Sequence, residues 1–163
     1  MNSTTLMFEN IAKESRIWIY QCNLSLDDNK QVEIKQRLSE HLLTWKAHDN
    51  PLRAGSAIFY DRFVVIALDE KVNSASGCSI DATTKWLKTI GGDLGVDFFD
   101  RCLVYFKDEQ LFSVSLNDVK KSIEAGEILK DTIIFNNNIQ RLSQLDTDWK
   151  IPAIDSWLKR YFE

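Results

Sequence analysis

Proline and glycine are scarce in this chain, with two prolines, Pro51 and Pro152, and six glycines among 163 residues. Little room is left for a flexible linker or a low-complexity segment. A single compact domain over 1–163 is therefore expected, close to the usual size of about 150 residues. The three cysteines, Cys22, Cys78 and Cys102, stand far apart and form no C-x-x-C pair. That spacing argues against a disulfide framework and against a zinc site, and no metal or cofactor is expected. No apolar run approaches the roughly 18 residues of a membrane helix. Met1 to Ile11 has neither a basic start nor an apolar stretch of signal-peptide type, so a cytoplasmic protein with no membrane partner is expected. Lysine and arginine number 20 against 24 acidic residues, a net charge of −4, which disfavours nucleic acid as a partner. The phosphate-cradling string G-x-x-x-x-G-K-[ST] is missing. The nearest glycines, Gly91, Gly92 and Gly95, end an expected helix and so offer no N-terminal amides to phosphate.

What is present is an alternation of apolar patterns. Residues 16–22 are apolar on both alternating faces, as a central strand is. Ser25 or Asp27 can cap a helix running to about Lys46, with Ile34, Leu38, Leu42 and Trp45 as its buried stripe. Residues 53–60 and 63–68 read as two strands joined at Asp61-Arg62. After a loop over 70–79, Asp81 can cap a helix burying Trp86, Leu87, Ile90 and Leu94, with Gly95 stopping it. Cys102 to Phe106 is a further strand. This β-α-β-β-α-β order predicts an α+β fold whose first part, 1–106, is a ferredoxin-like antiparallel layer with two helices on one face. The remainder, 107–163, is expected to extend it by a β-α-β segment. That segment consists of a strand over 111–114, a helix over 116–125 burying Leu116, Val119 and Ile123, and a strand over 133–135. Asp155 or Ser156 can cap a last turn. Its aromatics, Trp157, Tyr161 and Phe162, together with Leu158 and Trp149, are expected to dock on the core, because so short a helix is not stable alone.

Six segments carry a resemblance: Trp18-Ile19-Tyr20-Gln21, Trp45-Lys46-Ala47-His48, Ser76-Gly77-Cys78-Ser79-Ile80-Asp81, Asp97-Phe98-Phe99-Asp100-Arg101, Phe135-Asn136-Asn137 and Asp155-Ser156-Trp157. They are similar to a family of small uncharacterised Bacteroidetes proteins often labelled "ABC transporter ATPase". That resemblance implies no established activity, and the missing phosphate cradle makes an ATPase unexpected. Toward the C-terminus, Tyr105, Ser115-Leu116, Ile123, Gly126-Glu127-Ile128, Asp131-Thr132 and Trp149 resemble the spacing of GYF-type modules. Some of those modules bind proline-rich peptides. The Gly-Pro step that they often carry before the helix is replaced here by Phe112-Ser113-Val114.

Cys78 is the leading chemical candidate. It lies before the second expected helix, where free N–H groups and the positive end of the helix dipole favour a thiolate. A nucleophilic cysteine needs a base beside it. His48, at the end of the first helix, and Asp81 complete a candidate catalytic set, while His41 fits a boundary position on that helix. Trp45, Arg62, Arg101 and Trp157 are candidate binding residues. Asp69-Glu70 and Asp97 with Asp100 are candidate carboxylate pairs, and Lys159-Arg160 is a short basic patch. Three functional readings follow. The first is a non-enzymatic binding or scaffold protein with a protein or peptide partner. The second is a thiol-dependent enzyme using Cys78. The third is a homo-oligomeric structural protein whose edge strands pair.

Overall fold

The computed structural model describes residues 7–47, 49–71 and 75–163. It is an α+β protein with two main antiparallel sheets and a two-stranded ribbon. Contacts divide the chain into two units, Met1–Asp100 with Gln140–Ser143, and Arg101–Ile139 with Gln144–Glu163. Each unit has a hydrophobic core of its own.

In the first unit, β1 (Arg16–Gln21), β4 (Ala54–Phe59) and β5 (Phe63–Leu68) form a sheet in the order β1-β5-β4. All six residues of β5 are buried, so the central position belongs to β5 and not to β1. The β4–β5 turn places Tyr60 and Asp61 at φ 52° and 53°, the left-handed pair that matches the twist of a hairpin. The sequence expectation had set this turn one residue later. Asp61 is held there because its carbonyl accepts from the Leu26 N–H at 2.7 Å and its Oδ1 accepts from Gln31 Nε2 at 2.8 Å. Helix α1 (Asp28–Leu43) starts at Asp27, whose side chain accepts from the Lys30 N–H, and ends at Thr44. Trp45 is therefore buried beyond the helix rather than on its stripe. A short ribbon of β2 (Lys46–Ala47) and β3 (Asn50–Pro51) follows. Helix α2 (Gly77–Leu94) starts four residues before Asp81, because Ser76 and Ser79 form a reciprocal capping box that satisfies its first free amides. Ile34, Leu38 and Leu42 of α1 join Leu87 and Ile90 of α2 in one core with Val64, Ile66 and Leu68 of β5. Both helices thus lie on one face. On the other face Phe8 stacks on Phe59, with ring centroids 6.3 Å apart.

Of the four strands expected for the first part, three, β1, β4 and β5, lie in this sheet. The segment expected as the fourth strand, β6 (Leu103–Lys107), pairs instead with β7 (Gln110–Val114) and β8 (Ile133–Phe135). The outer edge of β1 is taken by a distant stretch. The Ile17 N–H donates to Gln140 O at 3.0 Å, the Leu142 N–H donates to Ser15 O at 2.9 Å, and Arg16 and Arg141 form an antiparallel bridge. Those bonds satisfy edge groups that a fourth strand would otherwise have to pair.

The second unit is a sheet in the order β7-β6-β8-β9, the last strand being Lys150–Pro152. The short helix α3 (Val119–Glu124) lies between β7 and β8, and α4 (Gln144–Thr147) precedes β9. Leu103, Tyr105, Val119, Ile128, Ile134, Ala153 and Leu158 make its core. Helix α3 starts later than expected, and Leu116 is half exposed. Ser115 binds the chain first as a turn, its carbonyl accepting from Asp118 N and its Oγ from Asn117 N, a local alternative to helix. The sequence reading did not include α4 or β9.

Two neighbouring glycines should respond in opposite ways to alanine. A Cβ on Gly91 would meet the Val96 carbonyl oxygen and the Phe98 ring, whereas one on Gly92 would meet nothing within 4 Å. Gly91→Ala should cost about 1–3 kcal/mol through overpacking. Gly92→Ala should stabilise by about 0.5–1 kcal/mol through helix propensity. Urea unfolding measures both, and equal effects would contradict this packing.

Candidate functional site

Cys78 is exposed and lies in the first turn of α2, the second residue after the Ser76 cap. It is inside the helix and not on a loop before it. Among the described residues no hydrogen bond or ion pair joins Cys78 to a base. His48 lies outside the described residues. Asp81 is exposed three positions along α2, on the same side of the helix. His41 is engaged elsewhere. Its Nε2 is 3.0 Å from Thr83 Oγ1, and its ring stacks on Trp86 at 4.5 Å. Burial lowers its pKa, so the neutral imidazole is favoured there.

Trp45 serves the same region as an anchor. It is 5% exposed, its Nε1–H donates to Ser79 O at 2.9 Å, and Trp18 meets it edge to face. The indole pins the first turn of α2 to the chain that follows α1, and it offers no free ring to a ligand.

Arg62 belongs to a packed polar cluster. Its Nε donates to Cys22 O at 3.1 Å, and its guanidinium lies 3.8 Å from Asp100. Asp100 Oδ2 also accepts from Gln21 Nε2 at 2.8 Å. The Arg62 side chain is only 12% exposed, which leaves little surface for a partner. Cys22 sits against this cluster, fully buried, with its thiol pKa pushed up to about 12 by burial, with Asp100 and Asp97 adding to the rise and Arg62 opposing it. The carboxylates of both candidate pairs are engaged by neighbouring groups. Asp97 accepts from the Phe99 N–H and Asp100 is tied to Arg62 and Gln21. Asp69 accepts from the Lys71 N–H, while Glu70 pairs with Arg16 and Arg141. Arg101 is exposed at the start of the second unit.

Trp157 departs most from expectation, because it is exposed rather than docked. The last turn, Trp157–Tyr161, is a 3-10 helix capped by Ser156, whose Oγ accepts from the Leu158 N–H. Three residues per turn align positions i and i+3. Leu158 and Tyr161 therefore turn toward the core, and Trp157 and Arg160 turn outward. The Arg160 guanidinium lies 5.5 Å from the Trp157 ring centroid and 4.9 Å from that of Tyr161, and it donates to the Tyr161 hydroxyl at 3.1 Å. Trp149, the other tryptophan of this unit, is 1% exposed, and its Nε1–H donates to Asn137 Oδ1. The sequence reading named Trp157 as a binding residue, docked Tyr161 on the core and counted Arg160 in the basic patch Lys159-Arg160, without joining the three in one cluster. Their spacing of three and four was the available signal.

No protein-family model, curated protein or solved structure matches this chain. Among the described residues no group of three or more His, Cys, Asp or Glu side chains could hold a metal ion, and no helix is long and apolar enough to cross a membrane.

Two measurements check this geometry. Trp157→Ala should cost less than about 1 kcal/mol, as surface changes do, and Trp149→Ala about 3–5 kcal/mol. Similar losses at both positions would contradict the outward orientation of Trp157. Native-state alkylation with iodoacetamide should label Cys78 first, Cys102 more slowly and Cys22 only on unfolding, in line with their exposed, intermediate and buried positions. Early labelling of Cys22 would contradict the packing around Arg62.

Proposed function

We propose that the chain is a non-enzymatic binding or scaffold protein of the cytoplasm whose contact surface is carried by the second unit. The observation that carries this reading is the outward Trp157, which meets Tyr161 edge to face, with the Arg160 guanidinium over both rings. An exposed tryptophan beside a stacked arginine is the side-chain pairing that protein contacts concentrate their energy on. Phe112, Leu116 and Leu129 of the same unit are exposed as well. The GYF-like spacing of Tyr105, Gly126 and Trp149 falls in this unit and supports a peptide containing proline as the partner, with Trp157 supplying the surface aromatic that the buried Trp149 does not. In the first unit, the order β1-β5-β4 with both helices on one face supports a ferredoxin-like layer lacking its fourth strand, with a scaffolding role.

A second reading keeps some support. Cys78 is exposed in the first turn of a capped 18-residue helix, a position compatible with thiol chemistry. The third reading, self-association through an edge strand, is supported by β7, which is mostly exposed and carries no charged side chain.

Titration of a proline-rich decapeptide into isotope-labelled protein separates these readings. Saturable movement of the Trp157 indole N–H resonance, abolished by Trp157→Ala, is expected. A spectrum that stays unchanged at Trp157, or binding that survives Trp157→Ala, would overturn the proposal.

A further inference from the structure

The sheet of the second unit ends on two edges that the sequence treats differently. Strand β9 carries Lys150 and Pro152, and a charge or a proline on an edge discourages pairing with another chain. Strand β7 reads Gln-Leu-Phe-Ser-Val and has neither. In the sheet of the first unit, residues 140–142 cover β1, and β4 has no exposed residue. By contrast β7 exposes Gln110, Phe112 and Ser113, and among the described residues it pairs only with β6. Phe112 stacks on Tyr105 yet keeps 41% of its surface in solvent.

The β6–β7 ladder fixes which backbone groups point outward. Asp108 and Glu109 have φ of 49° and 62°, as a two-residue hairpin loop requires. Lys107↔Gln110 closes that loop as a hydrogen-bonded pair, and bonded and non-bonded pairs then alternate along the strands. Tyr105↔Phe112 and Leu103↔Val114 are therefore bonded, whereas Phe106↔Leu111 and Val104↔Ser113 are not. The N–H and C=O groups of Leu111 and Ser113 thus face away from β6.

A second copy of the same strand completes this edge. An axis through Phe112 sets each Leu111 opposite Ser113 of the other copy, and the four outward N–H groups donate to the four outward carbonyls. Phe112↔Phe112 becomes a non-bonded pair, the closer kind, so the two exposed rings meet. An axis at Leu111 or at Ser113 would keep only one bonded pair within the strand. No like charges oppose one another, because residues 110–114 are uncharged. We propose that β7 pairs antiparallel with β7 of a second copy about Phe112, joining two four-stranded sheets. This rests on the third reading above, self-association through an edge strand, and names its register. So short an edge covers less than the roughly 1,200 Å² of a stable interface, so the dimer is weak and forms with concentration.

The test is sedimentation velocity of the full chain from about 10 μM to 1 mM, the span over which weak contacts dissociate, with amide hydrogen exchange at both ends of that range. A shift from monomer to dimer is expected. The Leu111 and Ser113 amides should exchange severalfold more slowly at the high concentration. Those of Gln110, Phe112 and Val114, already bonded to β6, should not change. Ser113→Pro removes an outward donor from each copy and spares the β6 ladder, so it should weaken dimerisation about tenfold or more. Phe112→Lys sets two ammonium groups across the axis and should do the same, which keeps the test open if Ser113→Pro does not fold. Trp157→Ala should leave the dimer intact. A chain that stays monomeric would overturn self-association and this register together. A dimer with unprotected Leu111 and Ser113 amides, one that survives either folded β7 variant, or one lost in Trp157→Ala would overturn the register alone. Protection of these amides only on adding a proline-rich decapeptide would assign the edge to that peptide and overturn the proposal.

Discussion

The first unit depends on two backbone hydrogen bonds that reach across most of the chain, Ile17 N–H to Gln140 O and Leu142 N–H to Ser15 O. An exposed strand edge is a template for unwanted pairing, and a protein must cover it or blunt it. Here residues 140–142 cover β1, so β6 is not needed as a fourth strand and pairs with β7 and β8 instead. The same segment brings Arg141 to Glu70 and to the Glu14 carbonyl. One constraint thus accounts for the closure of one sheet and the freedom of β6 to start another.

The Trp157 surface is a matter of periodicity. A 3-10 turn caught by Ser156 rotates Leu158 inward, and Trp157 is carried outward as a consequence. In the intervening chemistry, Cys78 has the exposure of a reactive thiol but only a carboxylate three residues on, and Arg62 has the charge of a binding residue but is consumed by Asp100 and the Cys22 carbonyl.

Local patterns were legible in the sequence. The stripe Ile34, Leu38, Leu42, the cap at Asp27, the stop at Gly95 and the strand 63–68 all lie where spacing and capping chemistry put them. Errors began where pairing is non-local. Nothing in residues 102–106 says which sheet they join, because strand pairing depends on partners distant in sequence: β6 pairs with β7 and β8, and residues 140–142 take the β1 edge. The start of α2 was missed for a smaller reason, since Ser76 and Ser79 satisfy one another in a box usually made with Glu or Gln at its third position. Trp157 was expected to dock because so short a turn needs the core, but Leu158 and Tyr161 already supply that docking and leave Trp157 outside.

Native-state hydrogen exchange at the Ile17 and Leu142 amides tests the central claim most directly. If residues 140–142 close the sheet, both amides should be protected to a similar degree and should open together with the β5 amides, in the transition that unfolds the first unit. Exchange of Ile17 and Leu142 at the rate of a frayed edge, with β5 still protected, would contradict the account.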